Sequence, residues 1–336
     1  MKKPMSRTTL LLVSIALAGA AAVPAAEKVE LEGYAEWRHG DVLIVEGQRV
    51  RADRGVDFKG AGMARDFRSI PLGYETKVEG SRSQDGQVAA REVEAKPNGS
   101  AMFEGDLKAA FDQTESMWRQ RGQVFEAREG GRVQVLGKLH ESGPEVRRVR
   151  RITERLVPPY LGPQDFRVYV VDNEEWNAMA APNGSIYVFD GLLDAMDDDE
   201  VAIILGHELV HATHEHSRKQ FKKQIWIQLA ALGAMGLADG IDSDAKRLAV
   251  QAVTMIGASA WSSGYGRKHE DQADRVGLRY AYEGGFDVSK GPGLWGRFAQ
   301  KYGDSNKAVN FFFGSHSVAR ERQRNLEREL QLNYRH

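Results

Sequence analysis

His207-Glu208-Leu209-Val210-His211 sets two imidazoles four residues apart with a carboxylate between them. On a helix, residues at i and i+4 project from one face, so both rings can reach a single metal ion. Glu208, one step round, is set to act on a water held by that metal rather than to ligate it. This is the H-E-x-x-H arrangement of zinc peptidases. Five residues in this pattern also arise by chance, as a helix with two exposed histidines. The flanking sequence argues against that reading. Asp197-Asp198-Asp199-Glu200 opens the segment, where a helix N-terminus favours negative charge, and an apolar run then leads into the histidines.

Catalytic zinc takes three protein ligands and a water, so two histidines leave the site incomplete. A Gly seven residues and a third His ten residues after His207 would finish it in one segment, but those positions hold His214 and Ser217. The other solution is a carboxylate from a later helix. Arg267–Gly277 offers one, with Glu270 and Asp274 again at i, i+4. Glu270 suits the metal. Asp274, one turn on, suits the second nitrogen of a ligating imidazole, which a metal-bound His ordinarily gives to an acceptor. Taken alone this would be a charge-laced surface helix; its coincidence with the upstream motif makes the metal reading the stronger.

Together, His207–His211 and Glu270-Asp271-Gln272-Ala273-Asp274 resemble the zinc metallopeptidases of the HtpX/BepA type. That gluzincin family also holds the CAAX prenyl proteases and the mitochondrial inner-membrane quality-control protease. Asn177–Leu193 resembles the strand and turn before the family's metal helix. Ser315-His316-Ser317, with Arg322 six residues after the His, resembles its Ser/Thr-His-Pro segment, with Ser317 departing from Pro. The resemblance spans approximately residues 145–330.

The resemblance implies a zinc endopeptidase with one Zn2+ per chain on His207, His211 and Glu270. Two neutral rings and one carboxylate leave the ion a net positive charge and an open position, which lowers its water's pKa to roughly 7. Glu208 would take the proton from that water and pass it to the leaving amine. For the oxyanion the resemblance points to His316 and Arg322, with Tyr265 and His269 as lesser candidates. Some relatives use the loop His as a removable fourth ligand, which would make His316 a latch instead. The resemblance also implies that Gly184, Ser185, Ile186 and Tyr187 belong to an edge strand that pairs with extended substrate backbone. The expected targets are unfolded or misassembled polypeptides. His216 matches a family position but reads as structural and beyond the metal's reach, and His214 lies two turns from His207. His39, His140 and His336 read as surface residues.

The elements that must position these residues give an α+β fold. A mostly helical metallopeptidase domain is expected over 145–336, opened by an amphipathic helix at Glu145–Leu156 and carrying a small sheet from Phe166–Asp172 and Gly184–Phe189. Ala101–Gln120 reads as a helix and Gln123–Leu139 as a hairpin around Gly130-Gly131, a connection covering 101–144. Before it, residues 27–97 alternate apolar and charged positions, and Tyr74–Lys96 reads as a hairpin about Asp85-Gly86. Five or six short strands there predict a small OB-like β-barrel, ended by a linker at Lys96–Ser100. Its expected role is to recruit a substrate or an envelope protein partner.

Met1–Arg7 is basic, Leu10–Val23 is apolar, and Val23-Pro24-Ala25 has small residues suited to cleavage after Ala25, with Ala22 and Ala26 as alternatives. This reads as a signal peptide over 1–25, too short for a comfortable span. It predicts a periplasmic protein, with an uncut inner-membrane anchor as the second reading. The chain has no cysteine, hence no lipobox and no disulfide. Ile225–Leu237 and Leu248–Trp261 are apolar but short and interrupted by Gln228 and Gln251. They read as packed helices where HtpX has true spans, giving a soluble branch with no integral span in the mature chain. A formal charge of −1 gives no basis for nucleic-acid binding or attachment to anionic lipid. Two function classes stand: an active endopeptidase, or a chaperone or adaptor that keeps the metallopeptidase fold to bind polypeptides. An intact Glu208 favours the first.

Overall fold

The computed structural model describes residues 27–97, 119–128, 132–158, 161, 166–181, 184–214, 216, 267–303 and 319–334. Strands β1 (Lys28–His39), β2 (Val42–Val45), β3 (Gln48–Gly60), β4 (Glu75–Arg82) and β5 (Val88–Lys96) close into a barrel in the order β1-β2-β3-β5-β4. β1 is long enough to pair with β2 near its end and with β4 along its start, which closes the ring. Alternation drives it: Val29 and Leu31 point inward while Lys28, Glu30 and Glu32 face water. Leu43, Val50, Val78 and Val93 complete the interior, with Phe67, Ile70 and Tyr74 packed into it. This is the OB-like barrel expected for 27–97, and the Asp85-Gly86 hairpin is as expected, with Gly86 in the left-handed region at φ 81°.

β1 breaks its alternation once. Its register against β2 shifts between Ala35 and Trp37, a bulge that holds Glu36. Bulges re-aim side chains. Ala35 stays in the barrel core, while Glu36 and Trp37 turn together toward the helical part of the molecule.

A second sheet has six strands in the order β10-β11-β9-β8-β7-β6. These are β6 (Arg119–Gln120), β7 (Gln123–Arg128), β8 (Arg132–His140), β9 (Arg167–Val171), β10 (Ala178–Ala180) and β11 (Ser185–Phe189). The expected hairpin is β7 and β8, but it does not stand apart. Leu139 pairs with Val171 and His140 with Val170, so the sheet is larger than its two expected strands. The helix expected to run to Gln120 is also corrected at its end. Arg119–Gln120 pairs with β7, because Arg121 and Gly122 both take positive φ (52° and 72°) and make a tight hairpin turn no helix can traverse. Residues 98–118, 1–26 and the apolar stretches Ile225–Leu237 and Leu248–Trp261 lie outside the described residues.

The expected edge strand is internal. β11 pairs with β9 from Ser185 to Phe189 and with β10 from Ile186 to Val188. The main chain of Ile186 and Tyr187 is therefore already committed on both sides, and these residues cannot add a substrate strand. Among the described residues the edge beside β11 is β10, only three residues long and too short to register in the apolar pattern.

Among the described residues the helices are α1 (Pro144–Leu156), α2 (Asp190–Ala195), α3 (Asp198–Thr213), α4 (Arg267–Glu283), α5 (Gly291–Tyr302) and α6 (Ala319–Asn333). α3 is the axis of the domain. Every residue from Val201 to Thr213 is buried, which is why it is apolar on all sides. Asp197 caps it: its Oδ1 accepts from the N–H groups of Asp199 and Glu200, and the Glu200 side chain accepts from the Asp197 N–H. α4 crosses α3 with backbone against backbone. A Cβ on Gly277 would lie 2.5 Å from the His207 nitrogen, and one on Gly206 would lie 2.4 Å from the Gly277 carbonyl oxygen. Only glycine permits that approach, and it brings the two helices that carry the candidate ligands together. No helix among the described residues is long and apolar enough to cross a membrane.

Candidate metal centre

The Gly206–Gly277 crossing fixes what faces what. His207, Glu208 and His211 rise from one stretch of α3 and Glu270 from the first turn of α4, each 1% exposed or less. One ligating atom from each of His207, His211 and Glu270 falls within 4.8 Å of the others. The two Nε2 atoms are 3.0 Å apart. Glu270 carboxylate oxygens lie 3.5 Å from His211 Nε2 and 3.7 Å from His207 Nε2. Ligands about 2.0–2.2 Å from a zinc ion at tetrahedral angles stand about 3.3–3.5 Å from one another. The observed triangle is close to one face of such a tetrahedron, so two nitrogens and one carboxylate fit a zinc ion in number, donor type and spacing.

Behind the triangle each imidazole has an oriented back. His207 Nδ1 is 3.0 Å from Asp274 Oδ1, an acceptor placed for an N–H on that nitrogen, which is the tautomer that frees Nε2 for the triangle. Asp274 is in turn gripped by Arg322 of α6, whose Nε donates to Oδ2 at 2.9 Å and whose Nη2 donates to Oδ1. The Arg322 guanidinium carbon stacks 3.5 Å over the buried Trp295 ring. Its Nη2 is 2.8 Å from His207 Nδ1 and its Nη1 is 4.0 Å from Glu270. Arg322 thus reaches the centre through Asp274 and His207, as a charge enclosed among ligand side chains.

His211 has a different back. Its Nδ1 lies 3.0 Å from Nδ1 of His216, whose Nε2 lies 2.9 Å from Gln272 Oε1. Sequence reasoning takes His216 as structural and misses Gln272. His216 is not one of the three triangle residues, yet it touches a ligating ring directly. The Gln272 amide then donates to Glu36 and to Glu46 of the barrel, each at 2.8 Å. Arg275, one turn further along α4, bonds the same Glu36. Burial pushes the Glu36 carboxyl above its usual range, against the pull of Arg275 and Gln272. Burial works against the Arg275 charge, but Glu36 and Asp271 outweigh it and hold the guanidinium above its ordinary value. The only sequence signal for these partners is the position of Gln272 between Glu270 and Asp274; nothing local marks Glu36.

The remaining candidates divide. His269 is not at the triangle but stacks on His216, centroids 4.4 Å apart. His214 caps α3, turned toward the barrel, where its ring meets Tyr34 at 4.3 Å and its carbonyl accepts from the Tyr34 hydroxyl. His140 pairs with Asp190 at 3.0 Å. Gly184, Ser185, Ile186 and Tyr187 are buried in the sheet. His316, Ser317 and Tyr265 lie outside the described residues.

The chain is similar to known proteins. The description "Peptidase family M48" matches residues 143–330. Metalloprotease YcaL of Escherichia coli is 29% identical over 194 residues, covering 57% of this chain and 72% of that protein. The putative beta-barrel assembly-enhancing protease of Vibrio cholerae is 28% identical over 145 residues, 42% of this chain and 30% of its own. The mitochondrial metalloendopeptidase OMA1 of Danio rerio is 31% identical over 137 residues, 39% of this chain and 28% of its own. The chain therefore spans less than a third of the length of the last two.

Proposed function

Since the chain belongs to peptidase family M48, and with it to the metallopeptidases, we propose that it is a zinc endopeptidase acting on unfolded or misassembled proteins of the cell envelope. The observation that carries this is the buried meeting of His207, His211 and Glu270, with Glu208 buried next to His207 on the same helix. In this reading those three side chains hold one Zn2+. Bound there, the ion supplies a Lewis acid that polarises a carbonyl and lowers the pKa of a water to about 7. Asp274 and His216 keep both imidazoles in the tautomer that turns Nε2 toward the ligand triangle. The Glu208 carboxylate accepts a proton from the attacking water as the new C–O bond forms. It returns that proton to the departing nitrogen as the C–N bond breaks. Arg322 is a positioning residue here, holding the Asp274 carboxylate in line with His207 through two hydrogen bonds. His316 is the proposed oxyanion donor or latch, a choice that the sign of the rate change in His316→Ala decides.

With β11 internal, β10 is the proposed strand for pairing with extended substrate, since α3 packs beside it and it has one side unpaired among the described residues. Backbone pairing asks little of side-chain sequence, which suits unfolded chains. Two relatives are named for β-barrel assembly, and residues 1–25 read as an export signal; these support envelope substrates and a periplasmic location. The test is Glu208→Gln. It should keep stoichiometric zinc and lose casein cleavage by about 10²–10⁴-fold. Cleavage by the variant near the wild-type rate would remove the general-base role from Glu208, and no cleavage by the zinc-loaded wild type would favour a protein that works by binding.

A further inference from the structure

We propose that the N-terminal barrel is a working part of the metal site: Glu36 and Glu46, acting through Gln272 and His216, set the tautomer and orientation of His211. The inference rests on the metal reading above. The direction of every bond in the chain follows from its barrel end. All the partners of Glu36 are donors: the Gln272 amide, the Arg275 guanidinium and the Gly47 backbone N–H. Glu46 also receives the Gln272 amide. The guanidinium and the backbone N–H can only donate and between them occupy both Glu36 oxygens, so those oxygens accept. The Gln272 nitrogen must then face the barrel and its oxygen His216. His216 Nε2 therefore carries the proton. In a neutral ring Nδ1 is then the acceptor, and His211 Nδ1 must be the donor to it. That leaves the Nε2 lone pair of His211 directed at the ligand triangle. The chain has one self-consistent proton arrangement, and it is the one a metal requires.

Three features of the barrel serve this contact. The β1 bulge turns Glu36 out of the alternation and into the interface. The β2–β3 turn puts Glu46 at φ 51° and Gly47 at φ 72°, a tight hairpin geometry that favours Asn, Asp or Gly over Glu at its first position. A strained non-glycine residue points to a use for its side chain. Gly33 makes room for it, since a Cβ there would lie 2.0 Å from a Glu46 carboxylate oxygen. β1 thus supplies one acceptor and leaves a vacancy through which the other reaches the same amide.

The experiment measures zinc affinity by chelator competition, and histidine tautomers by two-bond 1H–15N spectra of the zinc-free protein. It uses the full chain carrying Gln272→Met, Glu46→Leu, Glu46→Gln or His211→Ala. Gln272→Met should weaken zinc binding about 10–100-fold and let His216 and His211 populate both tautomers, with unchanged circular dichroism. Glu46→Leu, on an exposed turn, should shift both readouts the same way by less. Glu46→Gln, which keeps an acceptor oxygen, should recover them. Wild-type affinity and tautomers in Gln272→Met and Glu46→Leu, with zinc lost in His211→Ala, would overturn the relay and leave the metal site standing. No zinc uptake by the wild type would overturn both.

Discussion

At the scale of single residues the centre is built from side chains that have no slack. Asp274 and Arg322 are an ion pair sealed from water on every side. Breaking such a pair leaves an uncompensated charge and typically costs about 3–5 kcal/mol. Arg322→Met should therefore lower stability by about that amount in urea denaturation, and weaken zinc binding because His207 loses a fixed partner. A loss under about 1 kcal/mol with normal zinc affinity would show that Asp274 needs no counter-charge. This residue also shows what sequence discloses. His207, Glu208, His211, Glu270 and Asp274 were legible because helical spacing puts them on shared faces within one turn. His216 touches His211 from only five positions away, yet its partner atom depends on where α3 ends. Glu36 was illegible because its partners, Gln272 and Arg275, lie more than two hundred residues downstream.

At the scale of elements, α3 has to be held at its start because the rest of it is buried and apolar. Asp197 and Asp199 share Lys290, and Glu200 receives Arg297. Burial would raise the Asp197 carboxyl, but Lys290 and the Glu200 N–H outweigh it and hold it low. Lys290 and the Asp287 N–H hold Asp199 low. A carboxyl held low in the fold stabilises it above the unfolded value of about 3.9, and that contribution vanishes as pH falls through the folded value. Asp197→Ala should cost about 1 kcal/mol at neutral pH, the usual worth of such a cap. The Tm gap to wild type should stay constant from pH 8 to pH 5 and narrow below about pH 4. A gap that widens on acidification would contradict the sign. Elements were legible where turns announce them, as at Asp85-Gly86. Neighbours were not: periodicity marked β11 as a strand but could not say that β10 would cover its edge.

At the scale of the molecule, barrel and helical domain meet through a mixed interface. Trp37, turned out by the same bulge as Glu36, lies against the Arg279 guanidinium at 3.5 Å and edge-on to Tyr334 at 4.2 Å. Tyr34 reaches the end of α3. Truncating a buried Trp typically costs about 3–5 kcal/mol. Trp37→Ala should therefore uncouple the parts, so that calorimetry resolves two transitions where the wild type gives one. A single unshifted transition in the variant would mean that the interface carries no cooperativity. The barrel itself was legible from alternation, since five strands of that period leave few other closures. Its docking was not, because the docking residues come from a break in the alternation.

The same long reach has a consequence in time. Synthesis delivers Glu36 first, the α3 histidines much later, Gln272 after them and Arg322 among the last residues of the chain. Contacts of such sequence separation form late, after the loops between them have closed. A nascent chain therefore holds histidines that lack these partners and a Glu36 carboxylate whose partners are still to come. The order of synthesis thus places the metal site's orienting contacts after its ligands, so the site takes its final geometry only once residues as far apart as Glu36 and Arg322 have met their partners.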